Sequence, residues 1–202
     1  AEGHTANRVA IAEVGGIVQL VELLNDVTRQ KPHLMAAMGL WKLATDDDDN
    51  QIAATRAGGL QPLVRMLGYE SAPHQQMAAA TLEVLSGSFA EMQVAVMKSG
   101  AVPGLVGLLG SDDQDTQGHA QRALLNIATP NAANVSAVIK PLIALLEVRN
   151  PFAQVKAVES LSALASRSPT NRAAIAGAGA IPPLVGVLGD GRNPNRSQML
   201  TA

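Results

Sequence analysis

One short phrase returns along this chain and limits the folds open to it more than any other feature. It reads GGIVQLVELL from Gly15, GGLQPLVRML from Gly58, GAVPGLVGLLG from Gly100, VIKPLIALLE from Val138 and GAIPPLVGVLG from Gly179. With Ile17, Leu60, Val102, Ile139 and Ile181 as equivalents, the steps are 43, 42, 37 and 42 residues. A second phrase keeps pace with it: HLMAAMGLWKLA ending at Ala44, QMAAATLEVLS at Ser86, GHAQRALLNIA at Ala128 and VKAVESLSALA at Ala165. Repeats of this length are stacked supersecondary units, each unable to bury its apolar face without a neighbour.

Each unit reads as three helices. The first is short, as in Asn50–Ala57, where Asn50 is expected to cap the start and Gly58 to supply a left-handed stop; Asn7 and Asn171 stand at the same place. The second begins at Pro62, Pro103 or Pro182, where a missing N–H costs nothing in the first turn, with Pro141 shifted in the fourth unit. The third is the longest, with apolar residues such as Ala120, Leu124 and Ile127 at helical spacing. Polar loops carry the breaks at Asp46–Asp49, Ser71–Pro73, Ser111–Asp113, Arg149–Pro151 and Asp190–Pro194. The core must be small and aliphatic, because 47% of residues are hydrophobic while Trp41, Tyr69, Phe89 and Phe152 are the only aromatics.

These units resemble armadillo repeats. The likeness rests on the G-(G/A)-(I/V/L)-x-P-L-V phrase and on the A-L-x-N-(I/L)-A phrase, intact as Ala123-Leu124-Leu125-Asn126-Ile127-Ala128. It implies an all-α fold, a right-handed armadillo-type α-solenoid of about five repeats, the first and last incomplete. The expected domain is single, residues 1–202, with units near 1–46, 47–88, 89–129, 130–167 (shortened) and 168–202 (partial). In the fourth unit the first helix is expected to be shortened or lost, with a local kink or gap. The end units, from Asn7–Val14 to Asn195–Ala202, are expected to leave apolar faces uncovered, as in a piece of a longer array or one whose ends a partner covers.

The resemblance also implies a concave surface lined by third helices, a non-catalytic interaction or scaffold role, and a protein partner, folded or peptide. The groove set at i, i+4, i+7 is Met38, Lys42, Thr45; Ala80, Val84, Gly87; Arg122, Asn126, Thr129; and Glu159, Ala163, Ser166. Expected contacts are Met38, Trp41, Lys42, Val84, Arg122, Asn126 and Glu159. Trp41 serves either as an anchor or as half-buried core, and Arg122 as a pair for Glu159 or Glu83. Asn126 is a lone rung: its equivalents are Lys42, Val84 and Ala163, and importin-like Trp positions hold Met38, Ala80, Arg122 and Glu159. A nuclear-localisation-signal receptor is therefore not expected. Two alternatives stay open, a substrate-recognition arm of a ubiquitin ligase and a fixed subunit of a large complex such as a ciliary assembly.

Other chemistries find little support. Fifteen Lys and Arg against seventeen Asp and Glu give a net charge of −2, which speaks against a nucleic-acid surface. With no cysteine there is no thiol catalysis, disulfide or thiolate metal site. Asp46–Asp49 lacks the alternating ligands and terminal Glu of a calcium loop. His4, His33, His74 and His119 show no paired ligand spacing and read as loop or helix-start residues. No enzyme, metal or cofactor is expected. The longest uncharged runs, Ala173–Gly189 and Ala123–Ile139, are 17 residues and contain proline, so no membrane insertion is expected. With no secretory signal in view, the chain is expected to be intracellular and cytoplasmic, and the triplets at Asn134 and Asn195 are taken as accidental glycosylation matches.

Overall fold

A computed structural model describes residues 2–28, 31–87, 89–129, 131–189 and 199–201. The expected loop at 190–194 and the Asn195 triplet lie outside these, as does most of the final third-helix start, of which Met199 and Leu200 are helical. Five groups of helices follow one another. They are α1 (Glu2–Glu13), α2 (Gly16–Asn25) and α3 (Lys31–Ala44); α4 (Asp48–Arg56), α5 (Leu60–Leu67) and α6 (Ala72–Leu85); α7 (Ala90–Lys98), α8 (Ala101–Leu108) and α9 (Gln114–Ile127); α10 (Ala132–Leu146) and α11 (Pro151–Arg167); and α12 (Pro169–Gly177) and α13 (Ile181–Gly189). The long helices α3, α6, α9 and α11 stack in that order, each on its neighbour. A continuous aliphatic core runs through the stack, with Leu40, Leu63, Leu82, Leu105, Leu124 and Leu142 wholly buried. No single described helix is long and apolar enough to cross a membrane.

The turn between first and second helices is made by a glycine in the left-handed region, Gly58 at φ 88° and its counterparts Gly15, Gly100 and Gly179. Only glycine takes that conformation without a Cβ penalty. The fourth unit has Ala137 at this place, and the chain does not turn there. Instead the first turn of a first helix runs directly into the second as α10, continuous for 15 residues with Pro141 inside it. The first helix was expected to be shortened or lost, with a local kink or gap, and it is shortened to a single turn. Its retained turn closes that gap, and the five-residue deficit of the 37-residue step is the missing back half of a first helix with its glycine turn.

Asn50 is not the cap that was expected. Asp47 is, its carboxylate accepting from Asn50 N at 3.1 Å, while Asn50 Nδ2 donates to Leu43 O at the end of α3, 2.9 Å away. Asn134 does the same to Ile127 O (2.8 Å) and Asn171 to Leu164 O (2.9 Å). Each such asparagine clamps a first helix onto the preceding third helix by occupying a carbonyl that the helix end leaves without a donor. Asn7 lies within α1 rather than at its start. Asn134 is 1% exposed, so burial closes it to a glycan.

The acidic runs also have structural duties. Asp48 and Asp49 lie in the first turn of α4, at the positive end of its dipole. Asp113 caps α9 by accepting from Thr116 N at 2.8 Å, and the Thr116 hydroxyl and amide hold its carboxyl below the usual range. His33 is buried at the start of α3. Its Nε2 donates to Asp26 O (2.9 Å), which leaves Nδ1 to accept from Tyr69 OH (2.9 Å), tying the first unit to the second.

Candidate functional site

The third helices bring Lys42, Val84 and Asn126 into successive places on one face, and the loop after α3 adds Thr45 and Asp46. A cavity of about 230 Å³ opens there, lined by Thr45, Asp46, Gln51, Glu83, Val84, Gly87 and Asn126. Val84 and Asn126 are partly buried, and Lys42, Gly87 and Thr129 are exposed. Met38 and Trp41 are partly buried on α3. Ala80, expected on the same face, is 3% exposed and belongs to the core.

Arg122 takes one of its two expected partners. Its Nε donates to Glu83 Oε1 at 2.6 Å, across from α9 to α6. Glu159 instead holds Lys156, one turn back on α11, at 2.8 Å. His119, which is not a helix-start residue but lies in mid-α9, sits with Nδ1 2.7 Å from Glu83 Oε2 and 3.0 Å from Arg122 Nη2. Burial, the largest single influence on Glu83, raises its pKa. The hydrogen bonds and charges of His119 and Arg122 together outweigh that and hold the carboxyl below its ordinary value. The cluster is a joint between helices with its charges mutually engaged. Within it Arg122 is the exposed member.

Asn126 is different. Its Nδ2 is 3.4 Å from Glu83 O and 3.5 Å from Ser86 Oγ, both at the long limit of hydrogen bonding. An amide held so loosely on a cavity wall can transfer its donor to a better acceptor. Farther along, Arg167 Nη1 donates to Leu125 O (2.9 Å) and Thr129 Oγ1 (2.7 Å), fastening α11 to the end of α9 at the groove edge. Sequence reasoning missed Gln51 and His119 as part of this face. Gln51 Nε2 donates to Ala44 O at 3.0 Å and its Oε1 is buried without a donor. The repeat offered a signal for Gln51, since it follows the clamping Asn50, but none for His119. Among the described residues no group of three or more His, Cys, Asp or Glu is placed to hold a metal.

Two segments, residues 47–87 and 90–129, match the Armadillo/beta-catenin-like repeat. A stretch of 72 residues is 36% identical to the U-box domain-containing protein 13 of Arabidopsis thaliana. It takes in 36% of this chain but 11% of that protein, so the match spans about a tenth of the relative's length. An engineered protein of solved structure superposes with a TM-score of 0.72 at 28% identity, over 97% of this chain and 81% of its own. A designed armadillo repeat protein in complex with the peptide (KR)4 gives 0.71 at 23% identity, over 98% of this chain and 85% of its own, a likeness of fold alone. Armadillo repeats in general mediate protein binding. With its glycine-hinged helix groups and its stack of third helices, this chain has the armadillo-type α-solenoid fold, and residues 47–87 and 90–129 carry the family's repeat.

Proposed function

We propose that the chain is a non-catalytic interaction module, part of a larger chain or assembly, that holds a protein partner along the face of α3, α6, α9 and α11. The loosely held Asn126 amide at the groove cavity carries this reading. It is a donor held only by two long hydrogen bonds, in the same cavity as the apolar Val84, with the exposed Lys42 two third helices away on α3. Val84 and Met38 supply contact area, Asn126 a hydrogen bond worth roughly 0.5–1.5 kcal/mol, and Lys42, Arg122 and Glu159 the polar margin. Trp41, partly buried on α3, is the anchor closest to the groove's first rung. The engaged Glu83 leaves no free acidic row for an extended basic peptide, so the partner suited to this face is a folded surface or a helix laid across it.

Native extraction followed by cross-linking mass spectrometry tests this. Partner cross-links are expected from Lys42 and Lys156 on the third helices. Asn126→Ala should weaken the partner by about two- to tenfold and Val84→Asp, which sets an unpaired charge in the face, by more. Cross-links confined to Lys98 and Lys140, on first and second helices, with neither substitution affecting recovery, would overturn it. The likeness to a U-box protein favours one finer form, a substrate-recognition arm of a ubiquitin ligase. In that case the cross-linked partner carries ubiquitin, and the modification declines in the Val84→Asp variant.

A further inference from the structure

We infer that the outer edge of the Arg122 guanidinium is a binding site for one carboxylate, supplied by an acidic side chain of the protein laid along the groove; the source of that carboxylate rests on the function proposed above. The site lies in the middle of the stack, on α9, between α6 and α11. A guanidinium has five N–H donors. Here Nε gives its own to Glu83 Oε1 at 2.6 Å, and Nη2 points one at His119 Nδ1, 3.0 Å away. That nitrogen is not free to accept. It lies 2.7 Å from Glu83 Oε2, and so short a contact with a carboxylate oxygen needs a proton on Nδ1. Nη2–H therefore meets an N–H instead of a lone pair, and among the described residues only the Nε donor has an acceptor. The donors left over include one on Nη1 and the second on Nη2, the parallel pair that a carboxylate grips with both oxygens. The Arg122 side chain is 54% exposed, so this edge is open to a guest.

Gly118 holds the fork in place. A Cβ there would stand 3.0 Å from Arg122 Nη1 and 3.8 Å from both Cζ and Nη2, so the guanidinium lies down on the surface of α9 over its one glycine. Glycine inside a helix is less stable than alanine, so this space is kept open at a cost. The equivalent places in the other third helices hold Leu34, Gln76 and Val155, and the places of Arg122 hold Met38, Ala80 and Glu159. Gly118 and Arg122 thus occur together, in one unit. With Nε bonded to Glu83 and Nη1 lodged over Gly118, the side chain has already given up rotamer freedom that binding would otherwise cost. Charge selects the guest. Glu83 stays ionised in the joint, and Asp115 is exposed two turns back on the same face of α9. A single negative charge balances the guanidinium, whereas a phosphate dianion would set a second one beside Glu83 and Asp115. The site therefore suits an Asp or Glu side chain rather than a phosphorylated residue.

The probes are sodium acetate and inorganic phosphate, each replacing chloride at constant ionic strength and pH 7. They are added to the full isotope-labelled chain while the arginine Nε–H and histidine ring signals are followed by NMR. The His119 ring is expected to carry a proton on Nδ1; a lone pair there would give Arg122 its missing acceptor and overturn the inference. Acetate should shift the Arg122 Nε–H signal along a saturating curve with a midpoint below about 100 mM. Arg65, whose Nη2 already donates to Asn25 Oδ1, should drift linearly. Gly118→Ala, which favours the helix and so keeps the fold, should raise the Arg122 midpoint about threefold or more. Linear drift at Arg122 equal to that at Arg65, a Gly118→Ala midpoint like the parent's, or a phosphate midpoint below that of acetate each overturns the inference. The source of the carboxylate is tested in native extract, with the Arg122→Lys chain expressed in place of the parent. That variant keeps the charge, and carbodiimide should join position 122 to an Asp or Glu of the partner. Partner cross-links from Lys42 and Lys156, with position 122 joined to nothing or only to Glu83, would overturn this inference and leave the groove reading intact. Cross-links confined to Lys98 and Lys140 would overturn both.

Discussion

Glu83 shows how one carboxylate can serve as the hinge pin between two helices. Its pKa is depressed in the folded chain, so its share of stability is complete above the ordinary glutamate range and is lost as pH falls through the lowered value. The Glu83→Gln protein should therefore unfold at a lower temperature than the parent at pH 7. The gap should narrow as pH falls below the ordinary glutamate range, where the unfolded chain takes up the proton first and the folded carboxylate only at lower pH. Paired thermal melts from pH 7 to pH 3 check this, and a gap constant with pH would rule it out. The buried asparagines act by a different route. Asn134→Ala strands Ile127 O at a buried helix end and should cost about 1–3 kcal/mol in urea unfolding. The third unit has Met92 at the equivalent place, 6% exposed, so an apolar filler is tolerated there. Asn134→Met should accordingly cost less than Asn134→Ala, because it refills the volume though not the hydrogen bond.

Among elements, the contrast between Gly58 and Ala137 decides whether two helices or one are made. Forcing a Cβ into the left-handed region costs about 1–2 kcal/mol, so Gly58→Ala should lower the urea midpoint, with nothing within 4 Å to add a steric cost. A loss of several kcal/mol would show that the turn is constrained by more than its φ. The glycine turns and the helical period of the third helices were legible in the sequence because they recur with the repeat; the second helices begin at Leu60, Ala101 and Ile181, one or two residues before the prolines expected to start them, which lie inside the first turn. Repetition also misled. It marked Asn50, Asn134 and Asn171 as important but not why, since a cap and a clamp three residues farther on both call for a small polar residue near a helix start. Asp47, Asn131 and Ser168 were the caps, and their varied identity hid them. Pairings across units were only half legible. Both Glu83 and Glu159 stand one repeat from Arg122, and choosing between them required the rotamers and stagger of neighbouring helices. His119 had no repeat counterpart to mark it.

In the whole molecule, stability is a sum over joints, because each unit touches only its neighbours. A central joint is supported from both sides, as α6 and α9 are, while among the described residues α1 packs chiefly on α2 and α13 chiefly on α10. The exposed Val9, Ile11 and Val14 at one end and Ile181 and Val185 at the other mark faces that central units bury. Equal truncations should therefore have unequal effects. Leu124→Ala, at a residue with no exposure in α9, leaves a cavity closed on every side and should cost about 2–5 kcal/mol. Val187→Ala in α13, 8% exposed, removes less volume where the surroundings can collapse, and should cost about 1–2 kcal/mol. Amide hydrogen exchange separates this nearest-neighbour picture from a single cooperative unit. Amides of α6 and α9 should exchange last, those of α1 and α13 first, and Leu124→Ala should speed exchange in α6, α9 and α11 more than at either end. Uniform acceleration along the chain would mean that the joints do not open independently.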